Sequence, residues 1–239
     1  GNTAMHHLFM CITPKPLVHA PYNTSVNNEI VVDAVDVDID VNPRARVQLL
    51  SNIAGFVGAD TAGVLLATAF DEIEKLTLVI DIGTYGEIVM GTKDSMIACS
   101  TAAGPAFEGA KIEMGMRGRA GAIDHVKLEA DGNITCTVID NAPAEGICGS
   151  GLMDAVAVLL ETGIVTETGK IVDPDEVPEA YAQKASRMGK NAEDIKIFML
   201  KDNVYISQKD IREVQLAKGA IAAGIELMAD SLGVKVGDV

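Results

Sequence analysis

Cations are scarce in this chain. Nineteen lysines and arginines face 34 aspartates and glutamates among 239 residues, giving a formal net charge of −15. That balance excludes nucleic acid as a partner, because phosphate backbones are gripped by clustered cations. Long apolar runs are lacking too. No segment reaches the ~18 to 20 uninterrupted apolar residues of a membrane span, so no membrane partner is expected. No basic-then-apolar leader is read, and a cytoplasmic location is the expectation. Four cysteines, Cys11, Cys99, Cys136 and Cys148, form no CxxC and no metal-finger spacing. They read as free thiols in a reducing compartment. With four histidines, neither a His-based triad nor a zinc site is supported. GxxxxGK[ST] is absent, so there is no P-loop. Gly146 to Gly151 is spaced G-x-x-G-x-G, the reverse of a dinucleotide fingerprint. Ser150 lacks the glycines at −2 and +2 of a nucleophile elbow.

What is present suffices for a substantial core: 48% of the residues are apolar. The length suits one or two domains. Ala4 to Phe9 reads as helical. From Val35 the alternation is strict, with Val35, Val37, Ile39 and Val41 on one face and Asp36, Asp38 and Asp40 on the other, which predicts a half-exposed strand. Thr61 to Phe70 is a helical run. Leu76 to Ile80 has the apolar continuity of a fully buried strand, ending at Asp81. Ile88–Met90 and Asp94–Ser100 follow as strands, and Pro105 signals a helix over 106–115. Asp131-Gly132 marks a hairpin between Val126–Ala130 and Ile134–Ile139. A helix over 152–160 has Gly163 as its C′ residue. Residues 165–193 read as a polar surface excursion. A second hairpin turns at Asp202-Asn203, and Ser207-Gln-Lys-Asp210 is a capping box for a helix over 208–232.

Two glycine-rich turns carry the candidate chemistry. At Asp81-Ile-Gly-Thr-Tyr-Gly86, glycines let backbone N–H groups face one point and cradle a phosphate oxygen without a lysine. Asp81 would hold hydrated Mg²⁺ facing the same phosphates. At Gly149-Ser150-Gly151 a helix N-terminus favours an anion or a polar ring, with Asp154 one turn in. From the residues alone, both turns read more simply as tight turns with capping residues. The functional reading requires them to converge on one triphosphate.

Asp81-Ile-Gly-Thr-Tyr-Gly-Glu-Ile88, Cys99-Ser-Thr-Ala-Ala-Gly-Pro-Ala-Phe-Glu-Gly109, Gly146-Ile-Cys-Gly-Ser-Gly-Leu-Met-Asp154 and Asp210-Ile-Arg-Glu-Val-Gln-Leu-Ala-Lys218 occur in this order. Together with Gly1-Asn-Thr-Ala-Met-His-His7 and Phe56-Val-Gly-Ala-Asp60, they resemble the reductive activators of corrinoid proteins. Those form a branch of the acetate/sugar kinase, heat-shock chaperone and actin superfamily (ASKHA). The resemblance implies an α/β, two-lobed ribonuclease-H/actin-like fold with mixed sheets flanked by helices, incomplete at both ends. Residues 1–75 would be part of the first lobe and 76–239 the second. It implies an ATP-dependent module that helps return a partner's cobalamin from Co(II) to Co(I). Cofactors would be ATP and Mg²⁺, with a [2Fe–2S] cluster only in an N-terminal domain absent from this chain. The partner would be a corrinoid protein, and the assembly a homodimer.

Residue by residue, the resemblance gives Asp81, Asp60 and Glu87 catalytic roles, with Asp81 as the metal residue. Asp60 is also readable as a helix cap, and Glu87 as a solvent-facing side chain. Nucleotide contacts fall to Gly83, Thr84, Gly86, Ser100, Thr101, Gly104, Gly149, Ser150, Gly151 and Asp154. Glu108 reads as surface or cap, and Arg117 and Arg119 as a small cationic island. Tyr85 stands where the family places Asn. A small-molecule phosphotransferase and a non-catalytic docking or dimerisation module remain as alternatives.

Overall fold

The computed structural model describes residues 1–238. The chain divides into two compact units. The first comprises residues 1–81, 86–101 and 223–239; the second comprises 82–85 and 102–222.

In the first unit, α1 (Thr3–Phe9) is capped by Asn2, whose side chain accepts from the Met5 N–H. β1 (Ile30–Asp33) pairs antiparallel with β2 (Arg46–Leu49), from Ile30 opposite Leu49 to Asp33 opposite Arg46. α2 (Ala59–Ala67) follows, then β3 (Thr77–Ile82), β4 (Gly86–Thr92) and β5 (Ser95–Thr101), forming a sheet in the order β3-β4-β5. Ile88, Val89 and Met90 on the central strand are all buried, as is Phe70. Each such side chain contributes roughly 1.5–3 kcal/mol of burial.

The second unit holds two sheets. β6 (Ala122–Leu128) pairs antiparallel with β7 (Ile134–Val138) and parallel with β8 (Gly146–Ile147). β10 (Lys196–Lys201) lies between β9 (Met188–Lys190) and β11 (Val204–Ser207). α3 (Gly149–Glu161) buries Leu152, Ala155 and Leu159 against Ile123 and Val126 of β6. Both predicted hairpins form, at Asp131-Gly132 and Asp202-Asn203. Gly163 ends α3 at φ +70°. The Ser207 capping box forms with Asp in the Glu position. The Asp210 carboxylate accepts from the Ser207 N–H at 2.8 Å, and the Asp210 N–H donates to the Ser207 hydroxyl at 3.2 Å. It starts α4 (Gln208–Leu232).

Four expectations from the sequence fail. The alternating segment from Val35 is no strand: Ala34–Val37 is a 3-10 turn, and Asp38 adopts a left-handed φ of +57°. Beyond Asp33, strand β2 offers no further partner residues, and alternation without a partner makes no ladder. The helix expected over 106–115 is a series of turns. Gly109, at φ +79°, breaks the helical path after one turn from Pro105. Strand β3 is not fully buried, since Ile80 and Ile82 are 37% and 40% exposed on the outer strand of its sheet. Residues 165–193 are no mere excursion, because Val165, Ile171, Val172 and Val177 join the core of the second unit.

Candidate functional site

In the first unit the candidate residues lie near strand ends, except Asp60, which lies in α2. Asp81 is the next-to-last residue of β3, and Glu87 lies opposite Ser100 in the β4–β5 register. The Ser100 hydroxyl donates to Glu87 at 3.4 Å, and the Thr101 hydroxyl donates to the Gly86 carbonyl at 3.1 Å. Thr101 is buried, so its hydroxyl serves the sheet. Burial raises the Glu87 carboxyl above its usual range, with the charges of Asp60 and Asp81 adding to the effect. Glu87 therefore costs the fold stability as pH rises through its raised range. Asp60 is not the cap of α2. Gly58 holds that position, and Asp60, inside the first turn, accepts from the Thr61 N–H at 3.1 Å.

In the second unit, the Gly83 N–H donates to the Tyr85 carbonyl at 2.9 Å, so it is not free for a ligand. The Thr84 and Tyr85 N–H groups have no acceptor among the described residues. Gly104, at φ +81°, has open space around the position of a Cβ. The Thr84 hydroxyl donates to Glu108 at 2.5 Å. Glu108 in turn lines a cavity of about 380 Å³ with Phe107, Met116, Arg117, Cys148 and Gly149. Glu108 thus links the Thr84 turn, by its hydrogen bond, to a space that the start of α3 also lines.

Cys148 occupies the N-cap of α3 without a capping hydrogen bond, and the first helical bond runs from the Leu152 N–H to the Cys148 carbonyl. The Gly149, Ser150 and Gly151 N–H groups are left without an acceptor among the described residues. Packing accounts for the two glycines. A Cβ on Gly149 would lie 2.1 Å from the Phe107 carbonyl oxygen, and one on Gly151 2.3 Å from that of Ile123. The Ser150 hydroxyl donates to the Asp124 carbonyl at 2.8 Å. Asp154 accepts from His125 Nδ1 at 2.9 Å and from the Val126 N–H at 3.3 Å, tying α3 to β6. No spacing in the sequence announces His125, since it lies 29 residues from its partner.

The cavity loop is pinned from behind. The Glu113 N–H donates to Asp210 at 2.8 Å, while the Glu113 carboxylate accepts from the Tyr205 hydroxyl at 2.5 Å and from Asn191 at 2.9 Å. The Glu113 hydrogen bond pushes the Tyr205 phenol up to about 12. A raised phenol adds stability below its ordinary value of about 10 that is lost as pH climbs to about 12. Absorbance at 295 nm is expected to show one of the four tyrosines ionising last, and that step should vanish in Tyr205→Phe.

Family profiles match nearly the whole chain. Residues 1–73 match the RACo middle region, and residues 75–239 match the C-terminal domain of RACo, the ASKHA domain. The chain belongs to the RACo family. One similar protein is a corrinoid activation enzyme, RamQ, of Eubacterium limosum. It is 40% identical over 247 residues, spanning 100% of this chain and 41% of the relative. A [Co(II) methylated amine-specific corrinoid protein] reductase of Methanosarcina barkeri is 30% identical, over 77% of this chain and 34% of the relative. A solved reductive activator for corrinoid, iron-sulfur protein superposes with a TM-score of 0.83 at 33% identity, covering 100% of this chain and 38% of that one. The chain thus spans less than half the length of these relatives. The mixed strands and helices of the chain, its match to the ASKHA domain and its superposition on the solved activator agree with the α/β fold that the resemblance implied. Among the described residues, no cluster of three or more His, Cys, Asp or Glu side chains is arranged to hold a metal. No helix there is long and apolar enough to cross a membrane.

Proposed function

We propose that this chain is the ATP-binding and partner-docking module of a reductive activator, which returns a corrinoid protein's cobalt from Co(II) to Co(I). The observation that carries the reading is the cavity at the start of α3, in a chain of the RACo family. Gly149, the first of three residues at the α3 terminus with unpartnered N–H groups, and the single cation Arg117 line the same space, a combination suited to phosphate. The residues present fit a nucleotide. Arg117 and the α3 terminus would hold its phosphates, and Thr84 and Tyr85 would add N–H donors. Asp81 would face Mg²⁺ through water, since no ready-made cage of side chains exists among the described residues. Asp60 and Glu87 are assigned beside it as supporting acids. ATP, when bound, supplies the free energy that favours one conformation of the module over another. Residues 1–75 are assigned to the first lobe and 76–239 to the second. A reducing cytoplasm suits the four free cysteines. A homodimer is part of the same proposal.

Calorimetric titration of Mg-ATP tests the site. Arg117→Ala is expected to weaken binding about tenfold, the worth of one charge-assisted hydrogen bond. Asp81→Ala in the full-length protein should abolish the ATP-dependent Co(I) absorbance of a cob(II)alamin-bearing partner. Unchanged reduction removes Asp81 from the mechanism.

A further inference from the structure

We infer that Glu108 is the carboxylate that takes the proton from the water attacking the terminal phosphoryl group of ATP. The inference rests on the nucleotide reading above and names the residue that would make the site hydrolytic. Glu108 is the one carboxylate on the cavity wall, where Arg117 is the one cation. One of its oxygens accepts the Thr84 hydroxyl at 2.5 Å, which fixes the side chain against the turn proposed for the phosphates. Its second oxygen makes no hydrogen bond to another side chain or to the backbone among the described residues, and the residue is exposed, so water reaches it. The backbone beneath it is held by one helical turn from Pro105, with the Glu108 N–H donating to the Pro105 carbonyl at 3.2 Å. Asp81 is already assigned to Mg²⁺, with Asp60 and Glu87 beside it, and the acids of the cavity loop and of α3 are committed elsewhere. Asp154 is engaged by His125 and the Val126 N–H, and Glu113 by Tyr205 and Asn191.

The step balances with water as the only co-reactant. The water oxygen bonds to the γ-phosphorus, and the bond from that phosphorus to the β,γ-bridging oxygen breaks. The electron pair leaves on ADP. The Glu108 carboxylate takes the water proton and returns it to the released phosphate or to solvent. General base catalysis of this kind contributes roughly 100- to 10,000-fold. The Thr84 hydroxyl positions the carboxylate and touches neither water nor nucleotide in the step.

Full-length wild type, Glu108→Gln and Thr84→Val are compared by three measurements. These are ATP affinity by calorimetry, the rate of phosphate release, and melting temperature without nucleotide. Glu108→Gln keeps the size and the acceptor but not the basicity. It is expected to hold ATP within about threefold of wild type and to melt at the same temperature, while phosphate release falls about 100-fold or more. Thr84→Val should lower release about tenfold with affinity retained. Release at the wild-type rate in Glu108→Gln overturns the inference and leaves the nucleotide reading standing. Parallel loss of affinity and melting temperature also overturns it, because it marks Glu108 as structural. Wild type that binds ATP but releases no phosphate overturns the inference alone. Wild type that binds no ATP overturns the proposed function and this step with it.

Discussion

Asp210→Ala is expected to be the most damaging single polar change in the chain. Asp210 is 1% exposed, and its two oxygens accept three hydrogen bonds, from the Ser207 N–H, the Ser207 hydroxyl and the Glu113 N–H. Alanine would strand both donors of the buried Ser207 away from water, at about 1–3 kcal/mol each, and would unpin the part-buried Glu113 N–H as well. A total of about 3–5 kcal/mol is expected after partial relaxation, lowering the melting temperature by about 6–20 °C for a chain of this size. The cap of α4 and the backbone of the cavity loop would loosen together, because one carboxylate serves both. Asp210→Asn retains acceptor capacity on one oxygen and should cost less than half as much. Equal losses for the two variants would show that packing, not hydrogen bonding, sets the cost. Thermal melts of both variants, monitored by far-UV circular dichroism, provide the check.

Gly149→Ala is expected to cost nearly as much, by steric means. The added Cβ would sit 2.1 Å from the Phe107 carbonyl oxygen and 3.1 Å from its carbon, so a backbone and not a flexible side-chain tip must move. Forced displacement of that kind costs about 1–3 kcal/mol, at the upper end where backbone is involved. The shift should also deform the cavity, because Phe107 and Gly149 both line it. Loss of nucleotide binding at temperatures where the variant stays folded is the expected second effect. Gly83→Ala provides the contrast. Its Cβ would meet nothing closer than the Tyr85 carbonyl oxygen at 3.7 Å, so the fold should tolerate it with no change in melting temperature.

Local signals were legible wherever the sequence alone fixes the backbone. Asp131-Gly132 turns a hairpin because Gly132 accepts φ +77°, and Ser207 with Asp210 caps α4 because their spacing brings each side chain to the other's backbone. Pattern failed where a partner was needed. The Val35–Val41 alternation suits a strand, yet the chain leaves the β1–β2 ladder at Asp33. Pro105 suits a helix start, yet Gly109 turns the chain aside. The glycines of the Gly149 loop were read through ligand chemistry. Their spacing is equally dictated by two carbonyl oxygens, of Phe107 and Ile123, that lie close in space and far in sequence.

The family and its ordered motifs belong to the sequence itself, because turn residues, caps and glycine positions act over a few neighbours. The roles of Glu108, His125 and Asp210 belong to the tertiary structure. Each takes meaning from a partner 24, 29 or 97 residues away. No local propensity encodes which carboxylate a distant hydroxyl, imidazole or backbone N–H will find; packing of the core around β6 and α3 decides it.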